Sequence, residues 1–262
     1  MTGVDQVSDE TISQLAQFID DAERIVIFTG AGISTESGIA DFRSPGGIWS
    51  QIKPIQFDAF LKSEEMRLEY WRRRFRFQAE FEAAPLNDGH RGVASIINSP
   101  KGRGLITQNI DGLHQRAGVG DQDIIEIHGN GVKGVCLDCQ SPMSLEQAEK
   151  LIAETGKSPR CTRCGGLVKS AVISFGQPMP QDKVAAAENL AMSCDLFIVL
   201  GSSLVVHPAA GLPIVAKNSG SKLVIINRQP TPLDAIADFL LPAAIGPSLQ
   251  KALEKSALGW NV

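Results

Sequence analysis

The chain has 262 residues, of which 43% are hydrophobic and 21% charged, as is typical of a globular protein. Its net charge of −4 provides no overall attraction for nucleic acid or anionic lipid, so neither is expected as a partner. No apolar run approaches the ~18 residues that cross a bilayer, and residues 1–10 are too polar for a secretory signal. We therefore expect a cytoplasmic protein without membrane contact.

In chain order, a helical pattern at 11–22 precedes a short β-branched run at 24–29 that stops at glycine. Similar buried-strand runs recur at 104–107, 123–127, 196–200 and 222–226. Helical patterns precede the second, fourth and fifth of these five runs. This alternation predicts an α/β fold with a doubly wound parallel sheet, Rossmann-like in class.

Two stretches interrupt the alternation. Residues 48–84 carry aromatic and arginine side chains at helical spacing, which predicts a helical insertion. Residues 131–169 are polar and rich in Gly, Pro and Cys, which predicts a second insertion. We assign 1–47, 85–130 and 170–262 to the large domain, and the two insertions to a smaller zinc-binding and helical domain.

A glycine-rich segment, 30–38, follows the first strand. A strand that leads through glycines into a helix offers free backbone N–H groups and a helix dipole to a diphosphate. The G-x-G-x-x-G pattern of dehydrogenases is incomplete, because Thr35 holds the third glycine position. No acidic residue follows at the end of a second strand about 20 residues later. A glycine-rich turn without a ligand is the alternative.

Polar side chains follow two further strands. Gln108, Asn109 and Asp111 can hydrogen-bond ribose hydroxyls and a carboxamide, although they could also simply cap the next helix. His128 also stands at the end of a strand, where a histidine that titrates near neutrality can act as a general base. The alternative for His128 is a purely structural histidine.

Two cysteine pairs, Cys136-x-x-Cys139 and Cys161-x-x-Cys164, have the spacing of zinc knuckles. Four thiolate ligands leave no open coordination position, so the sequence predicts one structural zinc ion. Redox chemistry at a CxxC pair is disfavoured, because neither pair opens a helix after a strand.

Three later segments complete the pattern. Gly201-Ser202-Ser203 and Asn227-Arg228 follow successive strands. In the second half of a dinucleotide-binding sheet, the ends of these strands would contact adenosine. Residues 172–177 are predicted as a strand that could pair with an extended peptide.

Taken in order, these motifs resemble those of the sirtuin family. The resemblance extends from about residue 25 to about residue 246 and rests on Gly-Ala-Gly-Ile-Ser at 30–34, Asp41-Phe42-Arg43, Gln108-Asn109-Ile110-Asp111, His128-Gly129, both cysteine pairs, Gly201-Ser202-Ser203 and Asn227. It implies a bacterial-type, single-domain, NAD-dependent protein lysine deacylase that acts on acylated proteins or peptides. NAD would be the cosubstrate, and the products would be nicotinamide, O-acyl-ADP-ribose and free lysine. A mono-ADP-ribosyltransferase that uses the same NAD site is the alternative.

The resemblance also implies roles for individual residues. His128 and Asn109 would be catalytic, with His128 as general base. The residues that it assigns to NAD are Gly30, Ala31, Gly32, Ile33, Ser34, Glu36, Asp41, Phe42, Arg43, Trp49, Gln108, Asn109, Ile110, Asp111, Gly201, Ser202, Ser203, Asn227, Arg228 and Ile245. The residues that it assigns to the acyl-lysine substrate are Tyr70, Arg73, Val172, Phe175 and Gly176.

The spacing of Tyr70 and Arg73 resembles the pair with which some members hold an acidic acyl group. Three positions apart on a helix, these side chains share a face. The arginine run around them argues instead for a solvated basic face. The length of the helical segment and its Tyr-Trp start resemble the lipoamidase-type branch, so short-chain or lipoyl-type deacylation is the alternative.

Overall fold

The computed structural model describes residues 7–261. Part of the polar segment 1–10, expected not to be a secretory signal, lies outside the described residues. Within that range the strands are β1 (Ile25–Thr29), β2 (Gly102–Thr107), β3 (Ile124–Glu126), β4 (Gly129–Cys136), β5 (Pro142–Ser144), β6 (Val168–Val172), β7 (Leu196–Leu200), β8 (Lys222–Ile226) and β9 (Phe239–Leu241). The helices are α1 (Asp9–Asp21), α2 (Ile48–Gln51), α3 (Phe57–Lys62), α4 (Glu64–Ala83), α5 (Asp88–Ile97), α6 (Leu113–Arg116), α7 (Leu145–Thr155), α8 (Gln181–Met192), α9 (Leu212–Asn218) and α10 (Ile245–Lys255). No helix in this range is both long and apolar enough to cross a membrane.

Six strands form one parallel sheet in the order β3-β2-β1-β7-β8-β9. The predicted doubly wound parallel sheet is therefore confirmed. Strand order reverses between β1 and β7, and ligands of such sheets bind at this switch point, outside the carboxyl ends of the strands.

Successive side chains of the central strands point to opposite faces of the sheet, and an apolar core forms on each face. In β1, Ile25 and Ile27 join the core beneath α1, α5 and α10, whereas Val26 and Phe28 join the core beneath α8 and α9. Both sets are fully buried, as expected for parallel strands that helices cover on both sides.

The sequence analysis missed the sixth strand, β9. It pairs with β8 over only three residues, Phe239–Leu241, and a run of that length is too short to display a strand period. Its omission matters because the residues that follow β9 belong to the site described below.

The smaller unit is an antiparallel sheet in the order β5-β4-β6, against which α4 and α7 pack. Its core holds Trp71 of α4 together with Met143, Leu145, Ala148 and Val168. Residues 48–84 form α2, α3 and α4, in agreement with the predicted helical character.

The strand predicted at 172–177 is wrong. Strand β6 ends at Val172, and the chain then turns, with the Gln177 N–H donating to the Ser174 carbonyl over 2.9 Å. Gly176 takes a φ of 80°, which reverses the backbone before a strand can continue.

Candidate active site

Two glycine turns meet at the switch point. A Cβ on Gly30 would lie 2.7 Å from the Gly201 carbonyl oxygen, and one on Gly32 would lie 2.7 Å from the Gly201 Cα. Gly201 itself has a φ of 65°, and its carbonyl accepts the Gly32 N–H over 2.9 Å. The turns after β1 and β7 thus touch backbone to backbone, which only glycine permits.

A cavity of about 410 Å³ opens above these turns, along the carboxyl edge of the parallel sheet. Many residues that the sequence assigned to the site line it: Gly30, Ala31, Gly32, Glu36, Asp41, Phe42, Arg43, Gln108, Asn109, His128, Gly201, Ser202, Ser203, Asn227, Arg228 and Ile245. The structure therefore brings together motifs that are up to 215 positions apart in the sequence (Gly30 to Ile245).

Other assigned residues do not reach the cavity wall. Ile33, Ser34, Trp49, Ile110 and Asp111 lie outside its lining. Conversely, the sequence analysis missed the lining residues Thr35, Ser44, Val206, Gln229, Ala243 and Ala244. Gln229 directly follows a recognised motif, whereas Ala243 and Ala244 follow β9, the strand that was not predicted.

The Asp41 loop covers one side of the cavity. The Asp41 carboxylate accepts the N–H groups of Arg43 at 3.0 Å and Ser44 at 2.8 Å, which fixes the loop internally. Gln229, beyond β8, donates to the Ser44 hydroxyl over 3.2 Å and so ties the loop to the opposite wall.

Three aromatic rings in successive contact also support the Asp41 loop. The Phe42 ring lies 4.9 Å from the Trp49 ring, which lies 5.9 Å from the Phe175 ring. Trp49 therefore connects the Asp41 loop to the turn after β6 without lining the cavity itself.

Ser34 is the centre of a buried hydrogen-bond network. Its hydroxyl donates to the Asp111 carboxylate over 2.8 Å and accepts from the Asn109 amide over 3.3 Å. Because that hydroxyl proton is used, the His90 Nε2, 3.4 Å away, must be the donor in its contact with Ser34. Burial raises the pKa of the Asp111 carboxyl. Ser34 and Asp111 thus hold Asn109, which does reach the cavity.

His128 lies at the end of the cavity nearest β3. Its Nδ1 lies 3.3 Å from the Gln108 carbonyl oxygen, an acceptor, so Nδ1 carries the proton and Nε2 has a free lone pair. Burial lowers the pKa of His128, and the charge of Arg43 lowers it further. A neutral imidazole with a free Nε2 can accept a proton.

Two carboxylates, Glu36 and Asp41, and two guanidinium groups, Arg43 and Arg228, line the cavity. The Glu36 carboxylate accepts the N–H groups of Ile245 at 2.9 Å and Gly246 at 3.3 Å, at the start of α10. Backbone N–H groups therefore offset part of the negative charge of Glu36, as they do for Asp41. Arg43 and Arg228 supply positive charge along the same wall.

The four paired cysteines form a compact cluster in the smaller unit. Their sulfur atoms all lie within 4.8 Å of one another, and three of the separations are 3.5 Å (Cys136–Cys164), 3.6 Å (Cys139–Cys161) and 3.4 Å (Cys139–Cys164). Four thiolates around one zinc ion at ~2.3 Å would be about 3.8 Å apart. A Cβ at Gly166 would lie 3.0 Å from the Cys136 sulfur, so glycine leaves room for the cluster. The donor set and its spacing fit one tetrahedral zinc ion.

The structure does not bring Tyr70 and Arg73 together as a receptor for an acidic acyl group. Arg73 donates to Glu69 over 2.5 Å and to the Lys53 carbonyl over 2.7 Å, while the Tyr70 hydroxyl pairs with Ser170. Neither residue lines the cavity. Of the other residues assigned to the substrate, Val172 ends β6, Phe175 is exposed and Gly176 forms the following turn.

The comparison with known families agrees with this geometry. A model of the Sir2 family matches residues 30–208. The chain belongs to the Sir2 family. A relative from Rhodopseudomonas palustris, named as an NAD-dependent protein deacetylase, is 50% identical over 238 residues, covering 91% of this chain and 94% of its own.

Solved Sir2 structures share the fold. A complex of Sir2, a p53 peptide and NAD⁺ matches with a TM-score of 0.79 at 35% identity, covering 93% of this chain and 98% of the other. A Sir2 structure with deacetylated p53 peptide and 3′-O-acetyl ADP ribose matches with a TM-score of 0.82 at 34% identity, with the same coverage. The sirtuin resemblance read from the sequence is thus confirmed.

Proposed function

We propose that this Sir2-family chain is an NAD-dependent protein lysine deacylase that yields nicotinamide, O-acyl-ADP-ribose and free lysine. The observation that carries the proposal is the single cavity that joins His128 and Asn109 at one end to Asn227 and Arg228 at the other. These residues follow β3, β2 and β8, which lie four strand positions apart at the widest. At ~4.8 Å per position, the edge extends roughly 19 Å, which suits a dinucleotide.

At the reaction end, His128 is the proposed general base. NAD supplies the ribose carbon that the acyl oxygen attacks as nicotinamide leaves. The free Nε2 of His128 would then take the proton of a ribose hydroxyl, and its protonated Nδ1 stays anchored to Gln108. Asn109, held by Ser34, would position the nicotinamide ribose within the same wall.

At the other end, the Gly30 turn would let the diphosphate approach the backbone closely, and Arg228 would supply positive charge for the diphosphate and adenosine. Arg43, whose charge acts on His128, would lie on the nicotinamide side. The extended peptide would bind at the turn that carries Phe175 and Gly176. The large domain would comprise 1–47, 85–130 and 170–262, with 48–84 and 131–169 forming the small one. A structural zinc ion, one per chain, would be held by Cys136, Cys139, Cys161 and Cys164 with no open position.

The test is an acyl-peptide panel with NAD, read by mass spectrometry. Acetyl-, succinyl-, glutaryl- and lipoyl-lysine versions of one peptide are compared, with the unmodified peptide as control. O-acyl-ADP-ribose in amounts that match the free lysine supports the proposal. Transfer of ADP-ribose to protein or peptide, without loss of the acyl group, would contradict it and favour a mono-ADP-ribosyltransferase.

His128→Ala is expected to lower kcat at least about 100-fold, because it removes a positioned general base. It leaves the Gly30 turn and both arginines in place, so the dissociation constant for NAD should change little. Steady-state turnover and calorimetric NAD binding are measured on the same preparation. Near-normal turnover in this variant would remove His128 from the mechanism.

A further inference from the structure

Lys169, in β6, is a fully buried lysine without a carboxylate partner. The residue is 0% exposed, and none of the ion pairs within residues 7–261 includes it. Lysine is almost never fully buried unless it is paired, because burial removes its ammonium group from water. The contacts of this ammonium group show what compensates the cost.

The ammonium group of Lys169 donates to two backbone carbonyls near the end of β6. Its Nζ lies 3.4 Å from the Ser170 carbonyl oxygen and also donates to the Val172 carbonyl oxygen. The centre of the Tyr70 ring lies 5.1 Å from Nζ, which adds a cation–π contact. Because β6 is an edge strand in the order β5-β4-β6, one row of its carbonyls has no neighbouring strand to donate to it. Lys169 supplies donors there.

The Val172 carbonyl belongs to the peptide unit that also contacts His128. The C=O of this unit accepts from Lys169, and its N–H, which belongs to Ile173, donates to the His128 carbonyl over 2.8 Å. One planar peptide group therefore joins the ammonium group to the main chain of His128. Hydrogen bonds linked in this way polarise and strengthen one another where water is excluded.

The main chain next to His128 is closely packed against the same segment. Gly129 pairs with Val172 and takes a φ of 78°, and a Cβ there would lie 1.9 Å from the Ala171 carbonyl oxygen. The imidazole of His128 is held separately, by the Gln108 carbonyl at 3.3 Å from Nδ1. His128 is thus fixed by its ring at the end of β2 and by its main chain at the end of β6.

We propose that Lys169 is a positioning residue that holds His128 in place through the peptide unit between Val172 and Ile173. The inference rests on the proposed deacylase function, in which His128 takes a proton from a ribose hydroxyl after nicotinamide has left. Without the ammonium group, this peptide unit loses its donor and the main chain of His128 loses a fixed partner. A displaced general base transfers the proton less efficiently.

The experiment measures the two stages of the proposed reaction separately, on the acyl-lysine peptide with the highest kcat/KM. Exchange of labelled nicotinamide into NAD reports on attack by the acyl oxygen, which precedes the action of His128. Formation of free lysine also requires the later proton transfer. Lys169→Met should lower the rate of lysine formation at least about 10-fold, a part of the ~100-fold or more that a positioned base supplies. Nicotinamide exchange should change by less than about twofold, since the base acts after that stage.

Two further variants control for a general loss of structure. Lys169→Arg should restore most of the rate of lysine formation, because a guanidinium group can also donate to two carbonyls. Lys133→Met is the matched control, since Lys133 lies on β4 of the same sheet and is exposed. Thermal unfolding and zinc content are measured for every variant. Should Lys169→Met fail to fold, Lys169→Gln replaces it, because its side chain is neutral and shorter but still polar.

Nuclear magnetic resonance reads the position of His128 without turnover. The chain has four histidines, so the imidazole ¹H–¹⁵N signals of His128 can be assigned by their loss in His128→Ala. In the wild-type chain, the Nδ1–H signal should be protected from exchange because Gln108 accepts this proton. In Lys169→Met that signal should shift or broaden, whereas the signals of the buried His90 and His114 should stay in place.

The outcomes separate the two proposals. Loss of lysine formation with intact nicotinamide exchange and an altered His128 signal supports the role of Lys169. Unchanged lysine formation in Lys169→Met, an equal fall in both stages, or an unchanged His128 signal overturns that role and leaves the deacylase function standing. If the wild-type chain releases free lysine from no acyl peptide, the deacylase function fails, and the His128 signal alone decides whether Lys169 positions this residue.

Discussion

The two sheets of this protein are stabilised in different ways. The central strands of the parallel sheet are buried on both faces, and two separate apolar cores cover them. The antiparallel sheet has one small core, and two of its seven buried members are the clustered cysteines Cys136 and Cys161. The large sheet can therefore rely on apolar burial alone, whereas the small one needs the metal to complete its interior.

Loss of zinc should produce the largest difference in stability between the two sheets. Cys161→Ser is expected to release the ion and unfold β4 to β6 locally, since structural zinc contributes on the order of 10 kcal/mol to folding of small units. Metal analysis and hydrogen exchange would show exchange rising in 131–172 and staying slow in β1 and β7. Cys194→Ser is the control, because Cys194 is buried outside the cluster. Full protection of β4 without zinc would contradict the metal dependence.

The converse test removes apolar volume from the large sheet. Phe197 is fully buried in β7, with its ring 6.1 Å from that of Phe28. Phe197→Ala should lower the free energy of unfolding by about 3–5 kcal/mol, because it leaves a cavity in a close-packed core. Zinc content should stay at one ion per chain. Leu240→Ala on β9 is the control, since Leu240 is 41% exposed and should cost under ~1 kcal/mol. Equal losses from both substitutions would show that the core is not close-packed.

Acidification should lower the free energy of unfolding by a smaller amount. Burial lowers the pKa of His90 to about 4, with Arg116 and Arg91 contributing, whereas an unfolded histidine titrates near 6.5. The unfolded chain binds the proton more tightly, so this stability is complete above pH 6.5 and is lost as the pH falls from 6.5 towards 4. Between pH 7.5 and 5 the free energy of unfolding should drop by about 2 kcal/mol from His90 alone. Urea titrations of the wild-type chain and His90→Asn, with zinc content checked at each pH, would measure the difference; identical pH dependence would exclude His90 as the cause.

Much of the large sheet could be predicted because β1, β7 and β8 are mostly apolar runs of five residues that helices separate. β3 and β9 each have three residues, but β3 lies within the apolar run 123–127, whereas β9 ends directly before Pro242. The strand expected at 172–177 failed for a different reason. Its apolar residues suggest a strand, but Gly176 provides a left-handed turn whose effect depends on the actual backbone path.

Site residues could be predicted from the sequence where they directly follow a strand. His128, Asn109 and Arg228 follow strands, and parallel strands bring their carboxyl ends to one edge. Support residues such as Ser34 could not be separated from lining residues, because adjacent positions in a tight turn face different ways. The partners of Arg73, which are Glu69 and the Lys53 carbonyl, depend on the packing of α4 against the segment before it, so its role could not be decided from the sequence.

The contact between the turns after β1 and β7 has a consequence for how this chain can change by mutation. A Cβ on Gly30 or on Gly32 would first meet the backbone of Gly201, at 2.7 Å in both cases, and the Ser202 Cβ, 3.0 Å from a Cβ on Gly30, is the one side-chain atom among these nearest contacts. An added methyl group at either turn therefore has no compensating substitution at the other, since a main chain cannot be made smaller. At these positions, paired replacements should therefore be no better tolerated than single ones. The apolar cores differ, because a second substitution there can refill the volume that a first one removes.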